Sequence, residues 1–211
     1  MSQAAKPLSM SFTSGTLLYH ESLTVAELYQ ELEDWDIVRE QVVADNRLQL
    51  RTLNASKRIY REISSRLRLL TADELTLLCA GSRHDQLYLL WLAVCKRYRF
   101  IRLLAEQVLR EKFLRLDMVI TYADYDRFFY QMADVYPEVD GVAQRTQMKQ
   151  RQVIFKMMRE ADLITDEGLI LPAILSPALI ERIHHDNPEY FAIYPVAEAD
   201  VQIYNTQHES R

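Results

Sequence analysis

Apolar residues recur along this chain at intervals of three and four, a spacing that predicts helices over most of its length. In 54–70, NASKRIYREISSRLRLL, residues Ile59, Ile63, Leu67 and Leu70 form one stripe. Lys57, Arg58, Arg61, Ser65 and Arg68 occupy the other side, with Glu62 as the single acid in the run. Asn54 stands where an N-cap belongs. A second helix, 145–161, repeats the design: Arg145, Lys149, Gln152, Lys156 and Arg159 fall at steps of four, three, four and three, opposite Met148, Phe155, Met158 and Ala161.

The remaining pattern fills in around these two. Thr24 and Glu27 read as a capping box for a helix to about Asp34, followed by a helix over 37–46 with Val38, Val42 and Val43 inward. Thr71 and Glu74 open a helix that Gly81 ends, and Ser82 or Asp85 caps the next. From Leu87 to Leu109 apolar residues occupy nearly every side, which predicts a buried central scaffold. Thr121 and Asp124 open a helix carrying Tyr125, Phe128, Phe129 and Met132, which stops before Pro137. Residues 163–171 read as a short hairpin or tight turn of the kind that forms a wing, and Ser176-Pro177 starts a last helix ending near His185. The tail from Glu189 is pinned at its start by Tyr190, Phe191, Ile193 and Tyr194, with a frayed end.

These elements divide the chain into a flexible leader over 1–15, an N-terminal helical unit over 16–81, central scaffold helices over 82–136 and a C-terminal helical unit over 137–211. The expected class is all-α, a compact helical globule with two helix-turn-helix units, with or without a wing. Composition agrees, since four glycines and six prolines in 211 residues leave few tight turns.

Charge sharpens the picture. The net charge is -5, yet 21–45 holds eight acids against Arg39 alone, whereas 47–68 holds seven Lys or Arg against one acid. A basic helix face repels itself unless an anion meets it, and a nucleic acid backbone is the obvious anion. A solvated surface is the plain alternative for either helix alone; the repetition favours binding. The candidate DNA-binding residues are Arg47, Arg51, Asn54, Lys57, Arg58, Arg61, Ser65, Arg68, Arg145, Lys149, Gln152, Lys156 and Arg159. Lys96, Arg97, Arg99 and Arg102 are read instead as the solvent end of the scaffold.

Catalytic patterns are missing: no Gly-rich phosphate loop, no His-Glu-x-x-His and no Cys-x-x-Cys. The reading is therefore non-enzymatic, with no cofactor and no metal. His184, His185 and Asp186 sit at a helix C-terminus, where the macrodipole favours histidine and adjacent side chains do not share a face. Cys79 and Cys95 lie in apolar surroundings and read as reduced core residues of a cytoplasmic protein. The longest apolar run, 87–95, is nine residues, too short to span a bilayer.

One further signal is a set of short motifs in a fixed order. They are Thr16-Leu17-Leu18-Tyr19-His20-Glu21-Ser22, Val25-Ala26-Glu27-Leu28-Tyr29, Asp34-Trp35, NRLQLR from Asn46, Arg58-Ile59 and Arg66-Leu67. Leu90-Trp91-Leu92-Ala93-Val94-Cys95, Lys149-Gln150-Arg151-Gln152 and Met158-Arg159-Glu160-Ala161 continue it. In these the chain resembles the BrxA family, small accessory proteins of type I BREX bacteriophage-exclusion systems, over about 16–179. The resemblance implies a monomeric all-α protein with two helix-turn-helix units. It would bind double-stranded DNA beside other BREX proteins, including the methyltransferase. It also implies that 163–171 forms only a turn. Two other readings stay open: an adaptor docking through Glu27, Glu31 and Asp34, and an RNA-binding helical protein.

Overall fold

The computed structural model describes residues 8–12 and 15–197, and among these the fold is all-α. The first three helices are α1 (Tyr19–Leu32), α2 (Trp35–Ala44) and α3 (Leu53–Leu67), each packed against the other two. α4 (Ala72–Ala80) lies on α1, and α5 (Arg83–Arg97) packs on α3, α4 and α6 (Arg99–Leu104). A π-helical stretch, Ala105–Arg110, and α7 (Glu111–Leu114) continue α6. Then follow α8 (Tyr122–Ala133), α9 (Pro137–Asp140), α10 (Gln144–Glu160), α11 (Pro177–Asp186) and a 3-10 helix, Pro188–Ile193.

α5 is the axis of the core. Every residue from Leu87 to Cys95 is buried, so the helix has no wet face there and must be covered from all sides. Trp91 donates its indole N–H to the Ile193 carbonyl at 3.1 Å, and Tyr194 donates its hydroxyl to the Tyr88 carbonyl at 2.8 Å. Both polar tips are thereby satisfied inside an apolar setting. The scaffold expected as a single run over 87–109 breaks at Tyr98, whose backbone is extended (φ -120°, ψ 92°) and which closes α5 and opens α6. Phe12 fills this corner, edge-on to Tyr98 and stacked on Phe100.

The described part of the leader, 8–12, is extended and docked. Leu8, Met10 and Phe12 alternate as in extended chain; Leu8 and Phe12 are buried, Met10 is half-buried against them, and the Met10 carbonyl accepts from Gln150 Nε2 at 2.6 Å. Burial of a large aromatic outweighs the chain entropy lost in ordering a Ser-rich segment. The rest of the leader, 1–7 and 13–14, and the expected frayed end, 198–211, lie outside the described residues.

Several helix starts differ from the sequence reading for local reasons. α1 begins at Tyr19, and Thr24 sits inside it with its hydroxyl bonded to the His20 carbonyl. Burial of Ser22, Val25 and Ala26 carries the helix back past that cap. α2 starts at Trp35 because the Asp34 carboxylate accepts from the N–H groups of Asp36 and Ile37 at 2.7 and 3.2 Å. α3 is capped by Thr52, which accepts from Ala55 N–H, so Asn54 falls in its first turn with its side chain exposed; the helix ends at Leu67, short of Leu70. The capping box of Thr71 with Glu74 forms as read, as does the Ser176 cap before Pro177; Ser82 and Asp85, read as alternative caps, act together as a box at the start of α5, and Thr121 with Asp124 opens α8.

Residues 163–171 turn tightly through Gly168, whose φ of +85° suits glycine. The antiparallel pairing is confined to single bridges, Ile164 with Ile170 and Val119 with Leu169. The second bridge is the surprise: 118–120 comes from before α8, with the Ile120 N–H donating to the Gly168 carbonyl and the Ile170 N–H to the Met118 carbonyl. Three short extended segments thus sit beside α10.

Candidate nucleic-acid interface

The first basic face follows from how α3 buries its other side. Tyr60, Ile63, Ser64, Arg66 and Leu67 face inward, with Ile59 half-buried, which leaves Asn54, Lys57, Arg58 and Arg61 exposed. These four, together with Arg39 of α2 and Arg68, line an open groove of about 640 Å³ whose one acid is Asp36. Arg68 lies just past the helix end with its guanidinium 5.2 Å from the Trp35 ring, itself stacked on Tyr29 at 4.0 Å. Tyr60 closes the floor by donating to the Trp35 carbonyl at 2.6 Å; burial pushes its hydroxyl pKa up, an effect the nearby Arg68 opposes.

Arg47 and Arg51 are exposed in the loop before α3, where Arg47 meets Asp45 at 3.5 Å. Asn46 shapes that loop, bonding both the carbonyl and the N–H of Leu50 with its side chain. Ser65 is half-buried and its hydroxyl donates to the Glu62 carbonyl at 2.8 Å, so it is committed to its own helix. Arg39, the lone base in an acidic stretch, carries no sequence signal that marks it as part of this face. Only the packing of α2 on α3 brings it to the groove.

The second basic face is on α10. Gln147, Gln150, Ile154, Phe155, Met157 and Met158 are buried there. Met148, expected inward, is instead 48% exposed, because its register places it beside Arg145 and Gln152. Arg145, Lys149, Gln152 and Lys156 are exposed and Arg159 is half-exposed. Ion pairing divides this face in two. Lys156 meets Glu160 at 3.7 Å and Arg159 meets Asp166 at 3.4 Å, whereas Arg145 and Lys149 have no carboxylate partner among the described residues.

The same accounting extends to the whole described chain. The cations without an ion pair, hydrogen bond or ring contact are Arg39, Arg51, Lys57, Arg58, Arg61, Arg145 and Lys149. All of them lie on α2, α3, the loop between them, or α10. Every other Lys or Arg among the described residues has a partner, as Arg83 has the ring of Tyr19 and Arg97 the ring of Tyr98. Lys96, read as part of a solvent end, is 5% exposed and sits between Glu74 at 2.6 Å and Asp186 at 2.8 Å; Arg102 meets Glu106 and Glu189.

The structure offers little else as a site. Asp186 turns to Lys96, away from a shared face with His184 and His185, and no group of three His, Cys, Asp or Glu among the described residues is arranged to hold a metal ion. Cys95 is buried and Cys79 half-buried, both unpaired; burial raises both thiols, Cys79 to about 11. No helix among the described residues is long and apolar enough to cross a membrane.

Fold and surface define an all-α protein with two basic helix faces. The chain belongs to the BrxA family, whose model matches residues 6–187, and it is with that family a BREX-associated protein. A crystal structure of an uncharacterized protein from Magnetospirillum magneticum is similar at a TM-score of 0.77 and 19% identity, over 90% of this chain and 100% of that one. At that identity the likeness speaks to the fold alone. A comparison with curated proteins gives no match.

Proposed function

We propose that this chain is a non-enzymatic protein that binds double-stranded DNA within a BREX system, gripping it with α3 and α10. One observation carries the reading. In a chain of net charge -5, the cations of the described residues that have neither an ion pair, a hydrogen bond nor a ring contact are confined to α2, α3, their connecting loop and α10. Unneutralised positive charge on two helix faces is what a polyanion selects, because each phosphate engaged releases condensed counterions.

The order of elements supports it further. α6 with its continuation, the segment 118–120, α8, the short α9, α10 and the paired segments around 163–171 come in an order compatible with a winged helix-turn-helix, in which α10 would be the recognition helix. In the N-terminal half, α2 and α3 stand as the two helices of a second such unit, with α3 the one that would enter the groove. One chain carries both faces, so the reading takes a monomer as the binding unit, and other BREX proteins, including the methyltransferase, as its partners.

The test is duplex binding by fluorescence anisotropy across a salt series, for wild type, Arg58→Glu/Arg61→Glu and Arg145→Glu/Lys149→Glu. Six phosphate contacts would give a log-log salt slope of roughly -5. Both double variants should bind more weakly. Absence of binding at low salt refutes the reading, and stronger competition by structured RNA than by duplex DNA would reassign the ligand.

A further inference from the structure

The two basic faces differ in chemistry, and the difference has a consequence for what each can recognise. On α3 the exposed polar groups are almost all cations; Ser65 is committed to the Glu62 carbonyl and Ser64 is buried, so Asn54 alone offers a free neutral hydrogen-bonding group. A guanidinium or ammonium with nothing beside it but other cations is suited to phosphate, which carries position and affinity but no sequence.

On α10, Gln144, Met148 and Gln152 succeed one another at intervals of four and form one exposed stripe. Neither glutamine side chain has a hydrogen-bond partner among the described residues, and Met148 holds 48% of its surface in water, unusual for a thioether with a core one turn away. The stripe runs along the N-terminal half, beside the free Arg145 and Lys149. The C-terminal half is neutralised by Glu160 and by Asp166, which is 91% exposed on the turn after α10 next to the exposed Glu167. Approach of a duplex is therefore favoured at the N-terminal half and opposed at the other end.

We infer that α10 reads base pairs while α3 holds the backbone, and that Gln144, Met148 and Gln152 select A·T pairs. A glutamine amide matches the N6 and N7 edge of adenine with two hydrogen bonds, and an exposed apolar side chain matches the thymine methyl group. The N-terminal residues of a recognition helix are those that meet base edges. The inference rests on the DNA-binding reading above.

The experiment is selection by the full chain from a randomised duplex pool, followed by anisotropy on an enriched duplex and on its counterpart with the A·T pairs replaced by G·C. Wild type should enrich A·T-containing sequences. Gln152→Ala and Met148→Ala should each cut the preference about tenfold and leave the salt slope unchanged, since no charge is lost. Lys57→Ala/Arg58→Ala should weaken both duplexes alike and flatten the slope. Circular dichroism confirms that each variant is folded. Tight binding with no enriched sequence overturns the inference but not the DNA-binding reading. So does a preference that survives both α10 variants or disappears with Asn54→Ala instead. No binding to any duplex at low salt overturns both.

Discussion

Arg66 of α3 and Glu160 of α10 hold opposite sides of a single peptide group. Arg66 Nη1 donates to the Thr16 carbonyl at 2.7 Å, and the Leu17 N–H of the same peptide donates to Glu160 Oε2 at 2.7 Å. Glu62 completes the junction, accepting from Arg66 and from the Tyr98 hydroxyl, whose pKa burial and that bond push to about 12. The C-terminal ends of both basic helices therefore meet at one point of the N-terminal segment. Glu160→Ala strands the Leu17 N–H and should cost about 1–3 kcal/mol in urea unfolding. Glu160→Gln keeps an acceptor there and should cost clearly less. Equal losses would show that charge, not the hydrogen bond, matters.

The division of α10 by its ion pairs predicts unequal salt effects. Arg145→Ala/Lys149→Ala removes two unpartnered charges and should flatten the log-log salt slope of duplex binding by about 1.8. Lys156→Ala/Arg159→Ala removes charges already opposed by Glu160 and Asp166, and should change it much less. Equal changes would refute the division.

Lys96 joins α5 to α4 through Glu74 and to α11 through Asp186; Glu74 is fully buried and also accepts from the Thr71 N–H at 2.7 Å. Lys96→Met leaves that carboxylate unpaired and should cost about 3–5 kcal/mol by chemical denaturation. Adding Glu74→Gln, which keeps an acceptor for Thr71 without the charge, should recover part of the loss. A double variant no more stable than the single would argue against the buried charge as the cause.

Gly168 holds a left-handed backbone where an added Cβ would stand 2.4 Å from the Ile120 carbonyl oxygen. Gly168→Ala should therefore destabilise by more than about 1 kcal/mol and speed amide exchange at Ile120 and Ile170, whose N–H groups make the pairing. Unchanged exchange at both would show that the pairing does not depend on the turn.

Asp124 has its pKa lowered from the ordinary value near 3.8: burial acts to raise it, but bonds from the Thr121 hydroxyl and N–H, with Lys112 and Arg127 nearby, prevail. A carboxyl depressed in the folded state adds stability that is present above its unfolded pKa and lost as pH falls through the folded value. Asp124→Asn should thus flatten the decline in stability below about pH 4, followed by thermal melting from pH 5 downward. An acid limb identical to wild type would exclude Asp124 as a contributor.

The sequence by itself determined what depends on near neighbours. Helical class, the buried run through Trp91, the capping box of Thr71 with Glu74, the Ser176 cap and the segregation of charge into α3 and α10 all follow from spacings of three or four residues, which an α-helix turns directly into faces. Tertiary structure decided what depends on residues far apart. Pairing of 118–120 with 168–170 could not be read locally, nor could the anchoring of Phe12 at the Tyr98 corner, the arrival of Arg39 beside α3, or the choice of which cations keep a free charge. Arg159 and Lys149 look alike in sequence; one meets Asp166 across a turn and the other has no partner among the described residues. Ion pairs between elements fall off within a few ångströms, so the backbone's path through space, rather than any period along the chain, settles them.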